Sequence, residues 1–246
     1  MKNASSLLIV LLFLSVWEIG ARLAKQAFIL PSPIQIAIKL WELKEVLIIN
    51  HLPVTLLTII IGLAISIVSG TAIAVWMFSN PSVRKALYPI LIASQMIPVI
   101  ALAPIFVLWF GYTIWSKVAV AVLITFFPIT VNTFDGLASG KKETEELLLT
   151  MGATKKDIFL KYSIPTALPH FFSGLKVAVT LSVIGAAIGE WLGAQAGLGY
   201  FSRRMMTQFD GAAVFAPIFV LAVVGIVLFV CVTFIEKRLV KRRNIN

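Results

Sequence analysis

The sequence predicts an all-α membrane protein with six transmembrane helices, both termini in the cytoplasm and a helical hairpin on the cytoplasmic side. Two compositional observations and one pattern predict it. Of 246 residues, 59% are hydrophobic and only 13% charged, whereas soluble domains carry about 25% charged residues. The mean hydropathy is +0.98. Apolar runs recur from Leu7 to Glu236 without a long linker, so residues 1–246 read as one domain.

A helix needs about 20 mostly apolar residues to cross a hydrocarbon core of roughly 30 Å. Six segments qualify: Ser6 to Leu23, Pro53 to Phe78, Ala86 to Phe110, Thr113 to Phe134, Phe171 to Leu192 and Ala213 to Ile235. Unpaired backbone groups cannot face lipid and the runs lack the alternation of barrel strands, so all six are expected to be helical. The first run is followed by WEIGARLAK, which offers no small-residue cleavage site, and is read as a retained span.

Lysine and arginine set the orientation. With the N-terminus inside, the inner side holds Lys2, Arg84, Lys85, Lys141, Lys142, Lys155, Lys156, Lys161, Lys176, Lys237, Arg238, Lys241, Arg242 and Arg243, which is 14 of the 21 basic residues. Arg22, Lys25, Lys39, Lys44, Lys117, Arg203 and Arg204 fall outside. An excess of positive charge on the inner side places both termini in the cytoplasm.

The same distribution sets nucleic acid aside as a partner, because the net charge of +10 flanks apolar runs instead of covering a soluble face. The single cysteine, Cys231, excludes an internal disulfide and a cysteine metal cluster. His51 and His170 lie far apart at span boundaries and are read as satisfied interfacial histidines, so no metal site is expected. Between the first two spans, Ile34, Ile38, Trp41 and Ile48 share one face, with Lys39, Glu42 and Lys44 elsewhere. That pattern fits a short helix in the outer interface, or a connector packed on the bundle.

The longest polar interval holds LLLTMGATKKDIF, Leu147 to Phe159. Glu143 to Thr150 favours a helix, and Gly152 follows where a helix end accepts positive φ. Thr154 and Asp157 then form the start signal of a second helix, which Pro165 discourages from continuing. The hairpin, about residues 143–165 between spans four and five, either packs on its own bundle or docks on another protein.

Glu146, Gly152 six positions later and Y-S-I-P at Tyr162 to Pro165 resemble the signature of permease subunits of ATP-binding-cassette importers. That signature reads Glu-Ala-Ala, three residues, Gly, nine residues, Ile-x-Leu-Pro. Leu147 and Leu148 replace its alanines, and Tyr162 and Ile164 its Ile and Leu. LPSP at Leu30 to Pro33, IPVIALAPIFVLWFG at Ile97 to Gly111 and EWLGAQAGLGY at Glu190 to Tyr200 extend the likeness to the subgroup that imports sulfonates, taurine, nitrate or thiamine-pyrimidine precursors. The resemblance implies that the hairpin is a coupling helix seated in a cytoplasmic ATPase, through Glu146, Gly152, Ala153, Thr154, Asp157, Ile158, Phe159 and Pro165. It also implies a second copy of the chain, an extracellular or periplasmic substrate-binding protein, and a place in the bacterial cell membrane. The run GEWLGAQAGLGYF favours a thiamine-pyrimidine precursor within the subgroup.

No ATPase of its own is expected, and so no bound cofactor; ATP would be used by the partner. G-L-A-S-G-K-K at Gly136 to Lys142 has its glycines one residue too close for a phosphate-binding loop. The translocation path is assigned to the third span. Pro98 and Pro104 each remove a helical N–H, so Ser94, Gln95 and Met96 are candidate lining residues, unless the prolines only kink a packed helix. Glu190, near the outer end of span five, is a candidate for the path or a solvated, arginine-paired carboxylate. Gly185, Gly189 and Gly193, with Gly197 beyond, form a stripe for close helix approach, within the chain or across a dimer axis. Glu18 is expected to pair with Arg22, and Lys176 to snorkel inward. The competing class, an ion-gradient-driven secondary carrier, would need ionisable residues mid-membrane, and none of the eleven acidic residues sits at a span centre.

Overall fold

The computed structural model describes residues 2–24, 26 and 28–241, with side chains from Leu8 to Val240. Lys25, Arg242 and Arg243 of the charge pattern lie outside the described residues. The described residues are helical, joined by short turns. The helices are α1 (Lys2–Ala24), α2 (Pro33–Glu45), α3 (Leu52–Ser79), α4 (Pro81–Ser94), α5 (Val99–Phe110) and α6 (Ile114–Ala138). They continue with α7 (Lys142–Thr150), α8 (Lys155–Ile158), α9 (Ile164–Gly193), α10 (Leu198–Thr207) and α11 (Gly211–Lys241).

Four stretches are long and apolar enough to cross a membrane: Pro33–Ser79, Ile114–Ala138, Lys155–Gly193 and Gly211–Val240. A fifth arises if α4 and α5 count as one span, and these two are bent by 100°. The third span expected at Ala86 to Phe110, with its helix broken or kinked at Pro98 and Pro104, is built as two helices that part just before Pro98. Pro98, lacking an N–H, stands at the N-cap of α5 with extended backbone, so the α4 pattern of hydrogen bonds cannot run through it.

Two expected short helices are corrected. The segment from Pro33 does not stop before the second span but runs into α3 through a π turn at Val46–His51. Its start is fixed by a capping box in which Ser32 and Gln35 satisfy each other's backbone N–H. Pro165 likewise does not end the hairpin's second helix. A π turn at Phe159–Ser163 shifts the hydrogen-bond register just before it, and Pro165 sits in the first turn of α9, where a missing N–H costs little. The 39 residues Lys155–Gly193 thus form one rod, about 58 Å long at 1.5 Å per residue. That is roughly twice the hydrocarbon thickness, so one end stands clear of the bilayer.

The core is built where α9 meets α6 and α6 meets α3. Small residues let these backbones touch. A Cβ on Gly185 would lie 2.9 Å from the Ala121 Cα, one on Gly189 2.9 Å from the Lys117 Cα, and one on Gly193 2.6 Å from Val107. The glycine stripe therefore meets α6 and α5 of its own chain. Between α3 and α6 the buried hydroxyls of Ser66 and Thr125 hydrogen-bond at 2.7 Å, a polar tie inside an apolar interface. By contrast α11 is 11% buried over its most apolar window, against 50% for α6. Its exposed Val223, Ile226 and Val230, like Leu8, Leu12 and Phe13 of α1, present the apolar belt that lipid covers.

Candidate functional site

The hairpin is built from local rules. α7 ends in a Schellman motif: the Ala153 N–H donates to the Leu148 carbonyl and the Gly152 N–H to the Leu149 carbonyl, both at 3.0 Å. This closure needs Gly152 at φ +88, and nothing lies within 4 Å of a Cβ placed there. Thr154 then caps α8. Its hydroxyl accepts from the Asp157 N–H at 3.1 Å, and the Asp157 carboxylate accepts from the Thr154 N–H at 3.3 Å. Lys161 adds an ion pair to Asp157 at 2.7 Å. The Lys161 ammonium and the Thr154 donors hold the Asp157 carboxyl down at about 2, well below the usual carboxylate range.

The two limbs face different ways. Ile158 is 8% exposed, and Phe159 stacks on Phe78 near the end of α3 with ring centroids 6.1 Å apart. The Tyr162 hydroxyl accepts from the Lys141 N–H at 2.9 Å, tying the start of α7 to the second limb. Glu146, Leu147, Leu149, Met151, Gly152 and Thr154 remain exposed, with Met151 at 75%. Of the expected contact residues, Ile158 and Phe159 thus seat the hairpin on its own bundle. The first limb and the Gly152 turn form its free face.

At the α4–α5 break, Ser94 donates to the Leu91 carbonyl at 2.7 Å, and Gln95, Met96 and Ile97 are exposed. Pro104 lies inside α5. Beside the break, Ile100 borders an apolar cavity of about 650 Å³ walled by α9 residues including Thr180, Ala187 and Trp191, by Gly199 and Ser202 of α10, and by α11.

Glu190 lies at the far end of α9 from the hairpin and is fully buried. The expected solvated or arginine-paired carboxylate is corrected: its Oε2 accepts from the Gly199 N–H at 2.8 Å. The turn at Gly197, with φ +117, lays its Cα against the carboxylate; a Cβ there would sit 2.3 Å from the Glu190 Cδ. The two neighbouring N–H groups go elsewhere. Gly197 donates to His51 Nδ1 at 3.1 Å and Leu198 to Thr55 Oγ1 at 2.9 Å. His51 is therefore satisfied as expected, but inside the bundle and in the tautomer whose Nδ1 is bare. The remaining pairs divide. Glu18 and Arg22 pair at 2.7 Å as expected, whereas Lys176 does not snorkel but binds Glu236 of α11 at 3.0 Å. None of the long-range partners is visible in a local pattern, because each joins residues dozens of positions apart.

The family described as "Binding-protein-dependent transport system inner membrane component" matches residues 62–244, from α3 through α11. The chain belongs to this family. It is a multi-pass membrane protein and an ABC transporter permease. It is 59% identical over 234 residues to the formylaminopyrimidine transport permease protein ThiX of Halalkalibacterium halodurans, covering 95% of this chain and 94% of that one. It is 34% identical to the riboflavin transport system permease protein RibX of Chloroflexus aurantiacus, covering 94% of this chain and 87% of the relative. It is 28% identical to the putative aliphatic sulfonates transport permease protein SsuC of Bacillus subtilis, covering 97% and 87%. The matched span includes the hairpin, the α4–α5 break and the Glu190 turn, while α1 and α2 precede it.

Proposed function

We propose that this chain is the transmembrane subunit of an importer, coupled through its hairpin to a separate cytoplasmic ATPase and paired with a second copy around the path. Six spans, with α1 as the first and the bent α4–α5 pair as the third, put both termini and the hairpin in the cytoplasm. The single observation that carries the substrate reading is 59% identity across nearly the whole length to a formylaminopyrimidine permease. A thiamine-pyrimidine precursor is therefore the proposed cargo, ahead of aliphatic sulfonates, taurine or nitrate.

The free face of the hairpin supports the coupling role. Leu147, Leu149 and Met151 leave apolar surface exposed at a site that stands outside the bilayer. The Schellman turn and the capping box hold that face rigid, so a push on it is transmitted into the rod Lys155–Gly193. Substrate would arrive from an extracellular or periplasmic binding protein and pass the α4–α5 break, where Ser94, Gln95 and Met96 stand at the bend.

Co-purification tests the reading. The chain, expressed with a candidate ATPase and a candidate substrate-binding protein from the same organism, should retain both, and the isolated binding protein should bind a formylaminopyrimidine. Failure of any ATPase to associate would remove the proposal. Uptake that collapses with an ionophore and persists without ATP would favour the ion-gradient carrier instead.

A further inference from the structure

Three consecutive backbone N–H groups at the start of α10 are each taken by a side chain from a different part of the fold. Gly197 donates to His51 at the end of the π turn, Leu198 to Thr55 of α3, and Gly199 to Glu190 of α9. These are the donors that a helix N-terminus leaves without intrahelical partners. Thr55 and Glu190 are fully buried, and His51 is 8% exposed. Around them the packing leaves no slack, since Gly197 lies on the carboxylate and a Cβ on Gly199 would sit 2.6 Å from the Ala187 carbonyl oxygen. Lys117 of α6, also buried, packs its backbone against Gly189, the residue before Glu190. Among the described residues Glu190 Oε1 has no hydrogen-bond partner, so the carboxyl group is held by the Gly199 N–H and by shape.

What α10 does gives the arrangement a purpose. Gly199 and Ser202 of α10 wall the apolar cavity between α9 and α11, and Ser202 is tied to α11 by its hydroxyl, which donates to the Val214 carbonyl at 3.1 Å. The cavity also reaches Ile100, beside the α4–α5 break. We propose that Glu190 is a positioning residue which, with His51 and Thr55, clamps the N-terminus of α10 and so holds the α10 wall of the cavity, with Ser202 buried in it, in place at the end opposite the hairpin. The clamp joins α3, α9 and α10, so loosening it frees α10 to move away from the other two. This rests on the importer reading for its role in transport, but the clamp itself is tested on the permease alone.

Cys231→Ala removes the chain's single thiol, and Ser202→Cys then reports access to the cavity wall with a membrane-impermeant maleimide. In the folded parent, labelling should be slow. Glu190→Leu, which deletes the acceptor at similar size, should speed it at least about tenfold, the shift expected from orphaning a buried donor. Glu190→Gln, which keeps an acceptor oxygen for Gly199, should hold it near the parent rate. Should Glu190→Leu fail to fold, Thr55→Val and Gly197→Ala attack the same clamp and should also speed labelling. A monodisperse size-exclusion profile in detergent, matching the parent's, certifies the fold of each variant. Unchanged Ser202→Cys labelling in folded Glu190→Leu and Thr55→Val overturns the proposal. If the variants label fast but bound ATPase and ATP leave the parent rate unaltered, the clamp stands and the importer reading falls.

Discussion

Phe159 of the hairpin stacks on Phe78 of α3 with ring planes 26° apart. This contact explains how one segment both belongs to the bundle and is free to meet another protein: its second limb is seated, and its first limb is exposed. Phe78→Ala should unseat the second limb at a loss of about 1–3 kcal/mol, an aromatic contact plus part of a buried ring. Limited trypsinolysis in native membranes checks this, with faster cleavage after Lys155 or Lys156 as the expected outcome.

Gly152 and Gly189 are both strained by the same substitution, for different physical reasons. Gly152→Ala meets open space but keeps a positive φ, so its cost is conformational, about 1–2 kcal/mol, and local to the hairpin. Gly189→Ala drives a Cβ to 2.9 Å from the Lys117 backbone and should lower the thermal midpoint of the purified chain, with about 1–3 kcal/mol of overpacking. Gly20→Ala, where nothing lies within 4 Å, is the neutral control.

Lys176 and Glu236 tie α9 to α11 with side chains only 25% and 18% exposed. Lys176→Met should cost about 1–3 kcal/mol by leaving Glu236 without its partner. The exchange Lys176→Glu with Glu236→Lys should recover most of that loss. Thermal unfolding in detergent of the single and double variants gives the coupling directly.

Local chemistry made much of the hairpin legible from sequence. A glycine at a helix end and a threonine three residues before an aspartate specify the Gly152 turn and the Thr154 cap by backbone rules alone. Pro98 marked the third span as broken, but a proline states only that a hydrogen bond is lost. The 100° bend depends on where α5 packs. Pro165 misled for a related reason: the π turn before it rearranges the hydrogen bonds that a proline would otherwise interrupt. Glu190 was misread because helix depth was the single coordinate available. Its partners at Gly197 to Gly199 lie close in sequence, but only a left-handed turn at Gly197 folds them back onto the carboxylate. His51 and Thr55 stand more than 140 residues from the N–H groups they accept from.

ATP-driven uptake into proteoliposomes tests the central claim most directly. The parent permease, reconstituted with its ATPase and binding protein, should accumulate a formylaminopyrimidine when ATP is supplied on the hairpin side. Gly152→Pro should abolish accumulation, because proline cannot adopt the positive φ of the turn and lacks the N–H that bonds Leu149. Accumulation by Gly152→Pro at the parent rate, or uptake in the parent that needs no ATP, would contradict the account.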